Sequence, residues 1–65
     1  MAIDPRLLDE AGIVAYSGLP LGIRWLLLDL LWDERPDLRA SVSGYMEMLS
    51  MEAMAVASVR AWLAR

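Results

Sequence analysis

The side chains of this 65-residue chain that could do chemistry are carboxylates, arginines, hydroxyls and thioethers, because it has no histidine, cysteine or lysine. The candidate nucleophiles are Ser17, Ser41, Ser43, Ser50 and Ser58. A serine hydroxyl attacks a substrate only when a neighbouring base activates it, and only aspartate or glutamate remains for that task. We therefore expect that the protein is not an enzyme, with no catalytic residue and no cofactor.

Paired carboxylates raise the question of a metal site. Asp29 and Asp33 lie one helical turn apart, where a divalent cation could bridge them. Neither the spacing of a calcium-binding loop nor further oxygen ligands accompany them, and the usual zinc ligands are absent. We expect a hydrated acidic rim here rather than a bound metal.

Four of the five methionines cluster in one short stretch, at Met46, Met48, Met51 and Met54. Thioethers can bind copper(I), but methionine-rich surfaces more often repack around varied apolar partners. We interpret the cluster as core and interface packing.

Composition favours a small module that needs a partner. A chain this short buries only about 60% of its unfolded surface, and it lacks disulfides and metals to compensate. A hydrophobic fraction of 58% therefore favours oligomerisation or a permanent partner. The net charge of −3 argues against binding nucleic acid, which attracts basic surfaces. Frequent alanine, arginine, glycine and leucine without lysine or asparagine is typical of a GC-rich bacterial or phage genome.

The N-terminus has no pattern of a secretory signal, which favours a cytoplasmic location. The longest apolar run, residues 19–32, contains Arg24 and Asp29 and is too short to span a bilayer. Peripheral membrane contact through Trp25 and Trp32 remains an alternative.

Residues 36–65 carry the clearest pattern and predict one long helix. Pro36 and Asp37 suit its first turn. A seam recurs at alternating spacings of four and three: Leu38, Val42, Tyr45, Leu49, Glu52, Val56, Val59 and Leu63. Glu52 thus falls inside an apolar seam, where a carboxylate needs water or a partner. Either Glu52 reaches water, or it forms a buried pair with Arg24 or Arg60 that fixes register or partner choice.

A second helix is predicted over residues 20–33, with two apolar faces. The face expected to pack on the long helix holds Ile23, Leu27, Leu30 and Leu31. The other face holds Leu21, Trp25, Leu28 and Trp32. Tryptophan is enriched at interface hot spots, so the second face is the predicted partner surface. The alternative is that the two tryptophans complete an internal three-helix core.

A short helix over residues 4–14 is predicted to precede this hairpin. Asp4 and Pro5 form a plausible cap and first turn. Gly12 either closes the helix or is tolerated inside a longer one. Ser17 is a plausible cap for the second helix.

The sequence thus predicts an all-α fold, residues 1–65 as one domain, in which a helical hairpin and a short N-terminal helix assemble into a bundle homodimer. The predicted partner interface comprises Trp25, Leu28, Trp32, Met48, Met51 and Trp62. Arg24 and Glu52 are predicted to provide polar specificity. The expected function is a non-enzymatic protein–protein interaction module, such as a dimerisation element or an acidic inhibitor that caps a larger protein. A small helix-turn-helix regulator and a peripheral membrane protein are the alternatives.

Overall fold

The computed structural model describes residues 5–65, which form three α-helices. The helices are α1 (Glu10–Ala15), α2 (Leu21–Glu34) and α3 (Arg39–Leu63). Short 3-10 turns at Pro5–Leu7 and Pro36–Leu38 precede α1 and α3. No strand occurs within this part of the chain, so the all-α prediction is confirmed. The molecule measures 44 × 28 × 17 Å, and its long dimension reflects the 25 residues of α3.

Helices α2 and α3 form the predicted hairpin, and α1 packs against both. The centre of the core consists of Leu28, Val42 and Leu49, which have no exposed surface, together with Ala11 of α1. Half-buried apolar side chains surround it: Val14, Leu21, Leu31, Leu38, Tyr45, Met46 and Met48. The long-helix seam therefore packs as predicted between Leu38 and Leu49.

The inward face of α2 differs from the prediction. Leu28, predicted at the partner surface, is fully buried, whereas Ile23 and Leu30, predicted to face α3, are about half exposed. The true inward face is centred on Leu28 and falls between the two predicted faces. Because α2 is apolar around most of its circumference, its sequence pattern does not specify which side packs.

The beginning of α1 also differs from the prediction. Asp9 is its N-cap, and its side chain accepts a hydrogen bond of 2.9 Å from the Gly12 backbone N–H. The predicted cap at Asp4 lies outside the described residues. Gly12 lies inside α1 and is buried, as in the alternative of a tolerated glycine. Ser17 donates to the carbonyl oxygen of Val14 and so closes α1, rather than capping α2.

The C-terminal part of α3 extends beyond the other two helices. Helix α2 has 14 residues and α3 has 25, so α2 cannot cover α3 along its whole length. Every residue from 53 to 65 is exposed. We call residues 53–65 the arm.

Candidate partner-binding surface

Arg24 lies on the inward face of α2 and connects all three helices. Its Nη2 lies 2.5 Å from Oε2 of Glu52, and its Nη1 lies 3.3 Å from Oε1, which makes a two-point ion pair with α3. The same guanidinium donates to the carbonyl oxygens of Ala15 at 3.1 Å and Leu19 at 2.8 Å. One side chain thus binds the end of α1, the following loop and α3.

The two partners of this ion pair are buried to different degrees. The side chain of Arg24 is 13% exposed, whereas that of Glu52 is 42% exposed. Glu52 therefore pairs with Arg24 and also reaches water, and the proposed pair with Arg60 does not form. Arg24 and Glu52 were predicted to provide polar specificity. In these contacts, they hold the chain's own helices together.

A second polar network joins α1 to α3 around Asp9. A hydrogen bond from the Ser41 hydroxyl, and then the one from the Gly12 N–H, hold the pKa of Asp9 below its ordinary value of 3.8. Burial, followed by charge repulsion from Asp9 and from Tyr16, raises the pKa of Tyr45 above its ordinary value of 10.0. The rings of Tyr16 and Tyr45 meet edge to face, with centroids 5.8 Å apart. These groups stabilise the docking of α1 and do not form an open site.

An open groove of about 410 Å³ runs between α2 and α3. We call it the tryptophan groove; its walls are Trp25, Asp29, Trp32, Ser43, Met46, Glu47 and Ser50. Trp25 is 40% exposed and Trp32 is 38% exposed. Trp25 and Trp32, two of the three tryptophans predicted at the partner interface, are therefore accessible and do not complete an internal core.

The tryptophan groove combines aromatic rings with unpaired negative charge. Within residues 5–65, neither Asp29 nor Glu47 has an ion-pair partner, and no arginine lines the groove. Trp32 already holds one guanidinium, because the Cζ atom of Arg39 lies 5.3 Å from its ring centroid. Arg39 also donates to the carbonyl oxygen of Trp32 at 2.8 Å.

The arm is the second accessible surface, and its exposed side chains are mostly apolar. Trp62 is 68% exposed, and the exposed aliphatic residues of the arm are Met54, Val56, Val59 and Leu63. Met51, two residues before the arm, is 71% exposed. Neither Met51 nor Trp62 lines the tryptophan groove, so the predicted interface residues divide between two surfaces. Met48 belongs to neither surface, because it packs half-buried against the core.

Two apolar recesses lie where α2 begins and the arm emerges. One, of about 360 Å³, is lined by Leu21, Gly22, Trp25, Leu49, Ser50 and Ala53. The other, of about 510 Å³, is lined by Leu21, Glu52, Ala53, Val56, Ala57 and Arg60. Leu21 lies on the face of α2 predicted as the partner surface, but neither Leu21 nor Ala53 was among the six residues named for the interface. The difference in length between the two predicted helices could have indicated them, because it leaves the end of the seam without cover.

The two arginines that a helix-turn-helix protein would use to bind DNA here, Arg35 and Arg39, make contacts within the chain. Arg35 makes ion pairs with Glu10 and with Asp37, where the hydrogen bond from Arg35 lowers the pKa of the Asp37 carboxyl. Arg39 is stacked on Trp32. These contacts, with the net charge of −3, give no basic surface around the inter-helix turn.

Neither a metal cluster nor a transmembrane helix is found in the described residues. Across residues 5–65, no three carboxylates converge on a position that could hold a metal ion, and Asp29 and Asp33 belong to no such group. The same residues contain no helix with the length and apolarity needed to cross a bilayer. Comparison of the chain with protein-family models, curated proteins and solved structures finds no significant match.

Proposed function

We propose that the chain is a non-enzymatic protein–protein interaction module that forms a homodimer through its arm. The observation that carries the proposal is the continuation of the α3 seam beyond α2. Val42 and Leu49 of the seam are buried under α1 and α2, whereas Val56, Val59 and Leu63 continue the same spacing in the open. A seam with this spacing is typical of a helix that packs along another helix.

The energetics of an isolated helix support a partner for the arm. Helices shorter than about 12–15 residues are marginal in water, because most helix stability in proteins comes from packing an apolar face. The arm has 13 residues without tertiary cover and two large exposed side chains near its end, Trp62 and Leu63. Burying one large apolar side chain contributes about 1.5–3 kcal/mol, so covering the seam would stabilise both the arm and the complex.

A second copy of the chain is the partner that best fits this surface. Closed two-fold dimers are the commonest oligomers, and they need a self-complementary surface. Glu52 lies near the root of the arm and Arg60 lies toward its tip. Antiparallel pairing of two arms would bring each tip toward the root of the other, so opposite charges would meet beside the apolar seam.

Light scattering after size exclusion, across a dilution series, tests the homodimer. We expect a dimer that dissociates on dilution, with loss of helical circular dichroism from the arm. Val56→Lys should weaken dimerisation about tenfold or more, because it places a charge in the seam. Ser58→Lys is the matched control, since it adds the same residue to an exposed position on the opposite side of the arm. Lysine is a good helix former at both sites.

Two results would contradict this proposal. The first is a wild-type chain that stays monomeric at the highest concentration measured while its arm remains helical. The second is equal weakening by Val56→Lys and Ser58→Lys, which would indicate a general charge effect and not an interface at the seam.

A further inference from the structure

The tryptophan groove has the chemistry of a site for a guanidinium group. Two half-exposed indole rings, Trp25 and Trp32, stand in the same groove as two carboxylates, Asp29 and Glu47. An indole face attracts a cation through its quadrupole, and a carboxylate attracts it through charge. A group experiences both attractions only if it carries a positive charge. It must also be planar or apolar enough to contact an indole ring.

The spacing of these residues along α2 and α3 explains why the indole rings and carboxylates line the same groove. On α2, Asp29 lies four residues after Trp25 and three before Trp32, so all three share one side of the helix. On α3, Glu47 lies four residues after Ser43 and three before Ser50. The hairpin faces these two rows across the groove, and the serines add hydroxyl donors and acceptors to its polar wall.

Charge complementarity identifies the occupant. Two carboxylates and no arginine line the groove, and neither carboxylate has an ion-pair partner within the described part of the chain. Arg39 lies over the ring of Trp32 but forms no ion pair with Asp29 or Glu47. We infer that the tryptophan groove binds an arginine side chain presented by a second, basic protein. The inference rests on the proposed role as an interaction module but not on the homodimer, because no residue of the arm lines the groove.

Arginine fits this groove better than lysine. A guanidinium is planar, stacks on aromatic rings and donates to a carboxylate through two N–H groups at once. The molecule already contains the stacking part of this arrangement, because the Arg39 guanidinium lies 5.3 Å from the Trp32 ring centroid.

Nuclear magnetic resonance with a defined peptide tests the inference. The probe is an acetylated and amidated peptide with two arginines in a glycine–alanine background, and its matched control carries citrulline, which is neutral and almost isosteric. The indole N–H signals of Trp25 and Trp32 should shift on titration, and that of Trp62 on the arm should not. The citrulline peptide should bind about threefold or more weakly.

Substitutions then locate the site. Asp29→Asn and Glu47→Gln should each weaken arginine-peptide binding about threefold. Asp33→Asn changes the same charge on the same helix outside the groove, so it should leave binding unchanged. The comparison of arginine and citrulline peptides uses the wild-type chain, so the test remains decisive even if a variant fails to fold.

Several outcomes would overturn the inference. These are equal binding of the citrulline peptide, an equal shift of the Trp62 signal, equal weakening by Asp33→Asn, and no saturable shift up to about 5 mM peptide. Dissociation of the homodimer by Asp29→Asn with Glu47→Gln would show that a second copy occupies the groove. If no homodimer forms but the arginine peptide still binds, the proposal of dimerisation through the arm is contradicted and the proposal for the groove stands.

Discussion

Arg24 and Glu52 pair across the α2–α3 interface at a separation of 28 residues, and only one of the two side chains is withdrawn from water. The guanidinium of Arg24 serves three acceptor groups, whereas Glu52 has one protein partner and contact with solvent. Substitution of Arg24 and substitution of Glu52 should therefore lower stability by different amounts.

We predict that Arg24→Met lowers the free energy of unfolding by about 2–3 kcal/mol. It leaves the carbonyl oxygens of Ala15 and Leu19 without their donor and leaves Glu52 unpaired. Glu52→Gln should cost only about 1 kcal/mol, because its amide oxygen can still accept from Arg24 and the position is partly hydrated. Urea denaturation, followed by circular dichroism, measures both values.

The double variant provides the control for this prediction. If the pair contributes as described, the two effects should not add, and the coupling energy should be about 1 kcal/mol. Additive effects, or a larger loss with Glu52→Gln than with Arg24→Met, would contradict the role of Arg24 as the shared donor.

Gly12→Ala is predicted to destabilise the fold although it lies inside a helix. A Cβ atom at Gly12 would lie 2.9 Å from the Tyr45 hydroxyl oxygen and 3.0 Å from Cδ2 of Leu8. The overpacking should cost about 1–3 kcal/mol, which exceeds the usual gain of about 1 kcal/mol from replacing a helical glycine by alanine. Chemical denaturation at neutral pH provides the measurement.

Gly44→Ala is the matched control, because nothing lies within 4 Å of an added Cβ at that position of α3. It should stabilise the protein by about 0.5–1 kcal/mol. The Tyr45→Phe background should partly relieve the cost of Gly12→Ala, since it removes the nearest atom. If Gly12→Ala stabilised the protein as much as Gly44→Ala, the residues between α1 and α3 would be able to move aside for the added methyl group with no loss of stability.

Acid should weaken the docking of α1 through Asp9. The pKa of Asp9 is below 3.8 in the folded state, so between the two pKa values the unfolded chain binds more protons there. The stabilisation is therefore complete above the ordinary pKa and is lost as the pH falls through the folded value. Unfolding measured at a series of pH values between neutrality and about pH 2 should show this loss.

Asp9→Asn separates the charge of this side chain from its capping bond. Asparagine caps a helix about as well as aspartate, so the capping bond should be kept, and stability at neutral pH should fall only by the part that the charge contributes. The variant should lose part of the acid dependence, while the part from Asp37, whose pKa Arg35 also lowers, should remain. An acid transition identical to that of the wild-type chain would exclude Asp9 as a contributor.

The extent to which the sequence predicts this fold varies from helix to helix. The alternating seam of α3 predicts a helix through Leu63, because seam spacing depends only on helical geometry. Helix α2 has apolar residues on most sides, so the sequence could not show that Leu28, and not Ile23 or Leu30, belongs to the core. That choice depends on which side chains fit against Val42 and Leu49, a property of packing.

The polar contacts show the same division. The position of Glu52 in the seam predicts that it needs water or a partner, and the candidates Arg24 and Arg60 could be named. The selection of Arg24 depends on the level at which α2 lies along α3, which the hairpin turn and core packing determine together. The presence of Asp29 and Glu47 in one groove could not be predicted, because residues 18 apart in sequence come together only in the folded hairpin.

The unequal lengths of α2 and α3 should also be visible in amide hydrogen exchange. Amides of α3 near Val42 and Leu49 exchange only when the whole hairpin opens, whereas amides near Val59 can exchange by fraying of the arm alone. A partner that covers the arm would remove this difference. The exchange rate of the last three turns of α3, relative to the first three, therefore measures how much of the protein is bound at a given concentration.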